Sequence, residues 1–440
     1  MRLLYIIHSD IAWNITQNSR CLRQRIDFLF SPRCARRKGL ESRVSLAYTV
    51  EKSTKGGSHM KKCIVISDSF KGSLSSQSIC AIARERIPLV FPDCKIIALP
   101  VADGGEGTAD CFLQICGGER VLAHGVQNPY GEPIDAAYAL LPDGTAVIEL
   151  AAAAGLPLVS GRKNACVTTT YGVGQLMLDA LGRGAQRIVL GLGGSATNDG
   201  GCGMAAALGV RFTDCDGHAF IPIGKTLDRI AHIDVSAARE RLGSVPVTAM
   251  CDISNPMYGP TGAAYIFGPQ KGADEPTVLL LDRQLRALDA VMQRELNCSA
   301  ACLPGAGAAG AAGAGCVAFL GAGLRRGIEV VLDVIRFDSL LDGTDLVLTG
   351  EGRIDAQSMQ GKVISGVARR ARAHGVPVFA LVGDVADDAY GAYDAGVSAI
   401  FSINRLAISH TEAKARSSAD YARTLDDLLR CIRTAEQFHR

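Results

Sequence analysis

The chain has 440 residues, of which 48% are hydrophobic and 20% charged, with a formal net charge of +2; this length predicts two domains in a well-filled globule. Its 15 cysteines are scattered through apolar stretches without a CxxC pair. They therefore give no support to a disulfide scaffold or a zinc site, and read as reduced core residues of a cytoplasmic protein. Residues 1–59 hold 11 basic against 4 acidic residues, a balance of +7, which leaves the rest at −5 and argues against nucleic-acid binding.

The basic head has no sustained period. Its apolar burst Leu3 to Ile7 is too short for a secretory signal, and its arginines only loosely imitate a transit peptide. Lys55-Gly56-Gly57 can be encoded by a purine run two codons ahead of Met60, so translation is expected to start at Met60 and residues 1–59 to be a non-native or disordered extension. The string Gly57-Ser58-His59-Met60 also resembles a cloning scar.

From Lys62 the pattern predicts a strand at Cys63-Ile64-Val65-Ile66, an amphipathic helix at Ser76 to Val90 and a strand at Lys95 to Leu99, both strands apolar enough to be buried on two faces. The loop Asp68-Ser69-Phe70-Lys71-Gly72-Ser73 follows the first strand, where a lysine among hydroxyls suits phosphate or carboxylate binding. A solvated turn with a helix cap accounts for it equally well. The second strand leads into Val101-Ala102-Asp103-Gly104-Gly105-Glu106-Gly107-Thr108, whose glycines let backbone N–H groups and metal-binding carboxylates approach one ligand.

Residues 126–150 alternate like antiparallel strands, with turns at Asn128-Pro129-Tyr130-Gly131 and Pro142-Asp143-Gly144. A helix is expected over Thr168 to Leu181 and a strand over Arg187 to Leu190. The run GLGGSATNDGG, residues 191–201, matches G-x-G-x-x-A only weakly, and Asp214 or Asp216 could supply the expected acidic residue. Ser195, Thr197, Asn198 and Asp199 crowd this turn with polar groups better suited to a polar substrate or a magnesium phosphate, although close strand-to-helix packing also explains the glycines.

Strand Val245 to Asp252 opens the turn-rich segment Cys251 to Ala273, with Asp252 at the strand end as a candidate ligand or base and Lys271 beside Gly272. Leu296 to Leu324 carries no charge and is long enough to cross a membrane, but Gly, Ala and Pro304 make it a glycine-rich loop, Pro304 to Gly315, leading into a helix. Strand Asp345 to Thr349 ends in Thr349-Gly350-Glu351-Gly352-Arg353-Ile354-Asp355, followed by Gln357, Ser358 and Lys362. Arg353 and Lys362 can stabilise a transferring phosphoryl group, and Glu351 or Asp355 can hold magnesium or orient Arg353. A helix over Gly361 to His374, strands at Val376 to Val382 and Ser398 to Ile403, and a closing helix with one apolar face at Tyr421, Leu425, Leu428, Leu429 and Ile432 complete the pattern.

The fold expected is α/β. Residues 60–125 and 330–440 would form a discontinuous parallel-sheet, Rossmann- or flavodoxin-like domain, with a mixed α/β domain, 126–329, inserted. Gly224-Lys225-Thr226 ends like a Walker A motif, but Ala219 stands where its first glycine belongs, and protein-kinase, G-x-S-x-G and H-E-x-x-H motifs are absent.

The ordered set DSFKGSLSS, PVADGGEGT, GLGGSATNDGG, CDISNPMYGPTGAAYIFGPQKGA, PGAGAAG and TGEGRIDAQSMQGK resembles the bacterial glycerate kinase family from about Met60 to the final helix. Ala311 departs from the Gly or Met that relatives usually carry, and the first 59 residues have no counterpart. The resemblance implies ATP-dependent phosphorylation of D-glycerate with magnesium, giving 2-phosphoglycerate, in a two-domain fold without a Walker A loop. On this reading Asp199 or Asp252 is the base, assisted by Arg353 and Lys71. Asp68, Ser69, Lys71, Ser195, Thr197, Asn198 and Lys271 meet the substrate. Gly104, Gly105, Gly193, Gly194, Gly305, Gly307, Gly350 and Gly352, with Lys362, meet the nucleotide, and Asp103, Glu106 and Asp355 meet Mg2+. No nucleic-acid or membrane partner is expected, and homo-oligomerisation stays open. The rival readings are a glycerate-sensing binding protein and a nicotinamide-dependent glycerate dehydrogenase.

Overall fold

The computed structural model describes residues 60–438 apart from 71, 102–104, 106 and 360. The expected N-terminal extension therefore lies outside the described residues. The first sheet is built from β1 (Lys62–Ser67), β2 (Lys95–Pro100), β12 (Leu346–Thr349), β14 (Val378–Val382) and β16 (Ala399–Ser402), all parallel, in the spatial order β16-β14-β12-β1-β2. In chain order that is 2-1-3-4-5, so the direction of winding reverses between β1 and β12.

Alternation within β1 shows why these short apolar runs became central strands. Cys63 and Val65 join one buried cluster and Ile64 and Ile66 another, so both faces are covered and every side chain is fully buried. Each such Val or Ile contributes about 1.5–3 kcal/mol relative to exposure. Helix α1 (Ser76–Val90) and the closing helix α9 (His410–Phe438) cover one face, through Ile79, Ile87, Leu425 and Leu429. Ser75 caps α1 by accepting the Ser78 N–H at 3.1 Å, and Ser76 Oγ ties the ends of β1 and β2 by donating to Ser67 O at 2.6 Å and accepting from Val101 N at 2.9 Å.

The second sheet contains β3 (Glu119–Gln127), β4 (Pro133–Leu140), β5 (Thr145–Glu149), β6 (Arg187–Gly191), β10 (Val247–Met250) and β11 (Gly323–Arg325), in the order β11-β10-β6-β5-β4-β3. It is parallel from β11 to β5 and antiparallel from β5 to β3. Ile148, Leu190 and Ala249 face helices α3 (Tyr171–Gly182), α4 (Cys202–Leu208) and α6 (Ala308–Leu320). Val147, Val189 and Met250 face the other way and share one buried cluster with Ile64 and Val347 of the first sheet and with helices α7 (Gly327–Val334) and α8 (Val363–Ala373). The described residues accordingly belong to one compact unit. The boundary expected at 125/126 falls inside β3, which pairs with β4 along its length and so belongs wholly to the second sheet. Three short strands, β7 (Arg211–Thr213), β8 (Ala219–Phe220) and β9 (His232–Asp234), form a separate ribbon, and β13 (Arg353–Ile354) pairs with β15 (Asp384–Val385).

The loop expected over Pro304 to Gly315 is helical from Ala308, interrupted by three consecutive left-handed residues, Ala309, Gly310 and Ala311. Tertiary packing selects this geometry: a Cβ on Gly310 would lie 2.0 Å from the Thr197 carbonyl oxygen, so α6 presses directly on the loop after β6. All thirteen described cysteines are free, and no helix among the described residues is long and apolar enough to cross a membrane.

Candidate active site

The loops at the carboxyl ends of strands from both sheets line three cavities that share residues. The first, about 290 Å³, is bounded by Gly193, Gly194 and Ser195 after β6, by Asp252 after β10, by Lys271, and by Gly105 from the loop after β2. The second, about 390 Å³, shares Asp252 with the first and adds Asn255, Arg326 and Lys362. The third, about 650 Å³, shares Lys362 with the second and adds Asp68, Ser69, Glu351, Arg353 and Asp355. The first two cavities thus adjoin at Asp252 and its neighbours Cys251 and Ile253, and the last two at Lys362, so the three together form one groove.

Lys271 is 2% exposed. Its Nζ donates to the Thr197 carbonyl at 2.7 Å and to Ser195 Oγ at 3.3 Å, and burial pushes its pKa down to about 7 against the opposing pull of nearby Asp199. Across the cavity, Asp252 is exposed. Its Oδ1 accepts the Gly327 N–H at 2.8 Å, which fixes the carboxylate at the amino end of α7 where the helix dipole favours negative charge. A lysine and a carboxylate therefore flank one small cavity.

Asp199 has a different place. It is fully buried, its Oδ2 accepts from Thr170 N at 2.7 Å, Thr170 Oγ1 at 2.8 Å and Gly203 N at 3.2 Å, and its Oδ1 accepts from Gly201 N at 3.1 Å. Burial raises its pKa while these bonds lower it. This carboxylate ties the start of α3 to the start of α4 and is not among the residues lining the groove; a base must reach substrate, and of the two aspartates expected in that role the structure brings only Asp252 to a cavity wall. Thr197 and Asn198 are likewise fully buried under the cavity, with Thr197 Oγ1 against Ser195 Oγ at 3.1 Å and neither amide atom of Asn198 hydrogen-bonded. Neither is among the residues lining the three cavities, where contact with substrate was expected of both.

Of the glycines expected to meet nucleotide, Gly193, Gly194 and Gly105 line the first cavity and Gly352 the third. Gly305, Gly307 and Gly350 instead admit neighbouring protein: a Cβ would lie 2.9 Å from Cys251 Sγ, 2.3 Å from Pro256 O and 2.0 Å from Leu381 O respectively. Lys71, Asp103, Gly104 and Glu106 lie outside the described residues.

At the far end of the groove, Glu351 is 5% exposed and its Oε1 has no hydrogen-bond partner. Burial pushes its pKa up to about 7, with Asp68 and Asp355 adding to the rise and Ser358 and Lys362 opposing it. Asp355 Oδ1 accepts from Ser358 N at 3.0 Å. This hard-oxygen set suits Mg2+. Among the described residues only Asp214, Asp216 and His218 gather three ligand atoms within 4.8 Å, on a turn away from the groove; the groove's acids fit an ion that arrives already chelated by phosphates and keeps part of its water shell. Arg326, which carried no sequence motif, makes no ion pair among the described residues and lies over Gly361, where a Cβ would come within 2.2 Å of its guanidinium. Its signal in the sequence was only the pair Arg325-Arg326 after a short strand; Arg325 pairs with Asp333 at 2.8 Å, leaving Arg326 for the groove.

The model of the glycerate kinase family matches residues 63–433. The chain is 41% identical over 380 residues to a Bacillus cereus glycerate kinase, covering 86% of this chain and 100% of that relative. It is 42% identical over 344 residues to an Escherichia coli glycerate 2-kinase, covering 78% of this chain and 90% of that one. A solved structure from Salmonella typhimurium LT2, described as a glycerate kinase 2, superposes with a TM-score of 0.75 at 37% identity, covering 86% of this chain and 100% of the other.

Proposed function

The chain belongs to the glycerate kinase family, and from that premise we propose that it transfers the terminal phosphoryl group of ATP to the 2-hydroxyl of D-glycerate, giving 2-phosphoglycerate and ADP. The observation that carries this reading is the pair of joints in the groove: Asp252 borders both the lysine-bearing cavity and the cationic one, and Lys362 borders both the cationic cavity and the largest one. We read the parallel sheet as a flavodoxin-like domain made from both ends of the chain, with the segment carrying the six-stranded sheet inserted, and the protein as a cytoplasmic catalyst in which its free thiols stay reduced.

Glycerate sits in the first cavity with its carboxylate against Lys271. Asp252 takes the proton from the 2-hydroxyl as its oxygen bonds to the γ-phosphorus, and the bond from that phosphorus to the bridging oxygen breaks to release ADP. Arg326 and Lys362 neutralise the phosphoryl oxygens between the two substrates, and Arg353 holds the outgoing nucleotide. Asp355, with Glu351 and Asp68 beside it, would hold Mg2+, whose bound charge offsets that of the β- and γ-phosphates. Holding both ends of a three-carbon acid selects one hydroxyl over the other. Incubation with D-glycerate and magnesium ATP should release ADP and give 2-phosphoglycerate by 31P NMR. NADH production with NAD in place of ATP, or binding without turnover, would favour the dehydrogenase or the sensor instead.

Lys271 gives the reading a pH signature. Its pKa near 7 in the free chain means that the cation that binds carboxylate is lost as pH rises through that value, so kcat/KM for glycerate should fall on the alkaline side. Lys271→Met should raise KM for glycerate by about 10–100-fold at pH 6.5 and remove that limb. Stability moves oppositely: between about 7 and the unfolded value of about 10.4 the unfolded chain binds more protons, so this site's contribution rises with pH. Urea midpoints at pH 7 and 9 should show that increment in the wild type and not in Lys271→Met. An unchanged glycerate KM in the variant would remove Lys271 from the substrate.

A further inference from the structure

The largest cavity of the groove has a second wall that phosphoryl chemistry does not use. Besides Arg353 and Lys362 it is lined by Phe70, Ile403, Leu406 and Ile408, with Asn404, Lys414 and Ser417 from the same stretch of chain. Phe70 and Ile403 are 3% exposed, whereas Leu406 and Ile408 are 52% and 38% exposed on the segment between β16 and α9. Apolar side chains together with cations match a ligand with a flat apolar body and an anionic tail.

Its place in the fold points the same way. Asp68 and Ser69 follow β1 and Glu351 and Gly352 follow β12, the two strands between which the winding reverses, and crevices outside such reversals are where parallel α/β sheets take nucleotides. The volume, about 650 Å³, falls within the range of cofactor pockets of about 300–1,000 Å³. The first cavity, at about 290 Å³ with its buried lysine, is the smaller of the two.

Resting on the kinase reading, we propose that Leu406 and Ile408 clasp the adenosine end of ATP, with Phe70 and Ile403 beneath the base, so that the triphosphate runs past Arg353 to Lys362 and ends beside Asp252. The side chains that select the nucleotide thus lie on the β16–α9 segment, apart from every glycine-rich motif in the chain.

Leu406→Glu and Ile408→Glu test this at exposed positions where the fold tolerates charge. For each, ADP affinity is measured by calorimetry without glycerate, together with KM for ATP and for glycerate and the melting temperature. Loss of one apolar contact and introduction of a charge against the base should weaken ADP and raise KM for ATP at least about tenfold, equivalent to about 1.4 kcal/mol. Glycerate KM and melting temperature should stay near wild type, and Leu406→Met should bind ADP as the wild type does. Two probes separate the ends of the ligand: inhibition by adenosine should weaken in the Glu variants, while inhibition by inorganic tripolyphosphate should weaken less. Unchanged ADP affinity in both Glu variants, a rise in glycerate KM alone, or a wild type that binds no ADP would overturn the proposal. A wild type whose ADP binding depends on Leu406 but which leaves glycerate unphosphorylated would sink the kinase reading and keep the wall, so the two fail separately.

Discussion

Asp252→Asn lowers kcat for glycerate phosphorylation by about 10²–10⁴-fold, the range lost when a positioned general base is removed, while leaving KM for ATP near its wild-type value. The carboxamide is isosteric and can still accept the Gly327 N–H through its oxygen, so the amino end of α7 keeps its partner and the melting temperature changes little. The loss arises because a neutral amide cannot take the hydroxyl proton as the oxygen attacks phosphorus. An equal fall in kcat and kcat/KM would mark an interaction made only in the transition state. A variant that retains turnover within a few-fold of wild type would take the base role away from Asp252.

The second large effect is on stability. Asp199→Ala removes one carboxylate from four donors, three backbone N–H groups and the Thr170 hydroxyl, all in a fully buried site. Each orphaned donor bears a desolvation cost, and bonds to a charged acceptor are the stronger kind; a loss of roughly 3–5 kcal/mol follows. Asp199→Asn fares little better, because its NH2 group would face donors rather than acceptors. Urea denaturation should therefore show the large change, and the protein that remains folded should keep most of its kcat. Native stability accompanied by abolished turnover would restore Asp199 as a catalytic group.

The contrast between these two aspartates shows what a single chain discloses. Asp252 stands two residues past a strand that its own apolar run announces, and a strand's carboxyl end opens onto the cleft. Asp199 sits in an equally suggestive run, but its surroundings are decided by Thr170, a partner 29 positions away at the residue preceding α3. The parallel strands were legible because burial on both faces demands unbroken Val, Ile and Leu, and Gly375 and Gly396 punctuate the ends of their helices. The Gly/Ala run at 304–315 was not, since glycine's poor helix propensity favours a loop there. Close approach overrides that local preference: a Cβ at Gly313 would meet the Gly305 carbonyl at 2.2 Å and one at Gly315 the Gly200 carbonyl at 2.1 Å. Those glycines bring protein against protein, and only the neighbouring Gly193 and Gly194 open onto the cavity beside Ser195.

Arg326, Leu406 and Ile408 are silent in the sequence for another reason. None sits in a motif, and each gains meaning only from cavity neighbours contributed by distant segments, Gly361 and Lys362 for the arginine and Asp68, Glu351 and Lys414 for the apolar pair. The chemistry of the groove is therefore an outcome of which loop ends the two sheets bring together.

The most direct measurement is a crystal structure of the chain with D-glycerate, Mg2+ and a non-hydrolysable ATP analogue. The account predicts the substrate carboxylate against Lys271, its 2-hydroxyl oxygen about 2.6–3.2 Å from the Asp252 carboxylate, and the terminal phosphate between Arg326 and Lys362. Glycerate bound away from Asp252, or a nucleotide whose phosphates point away from Lys362, would contradict it.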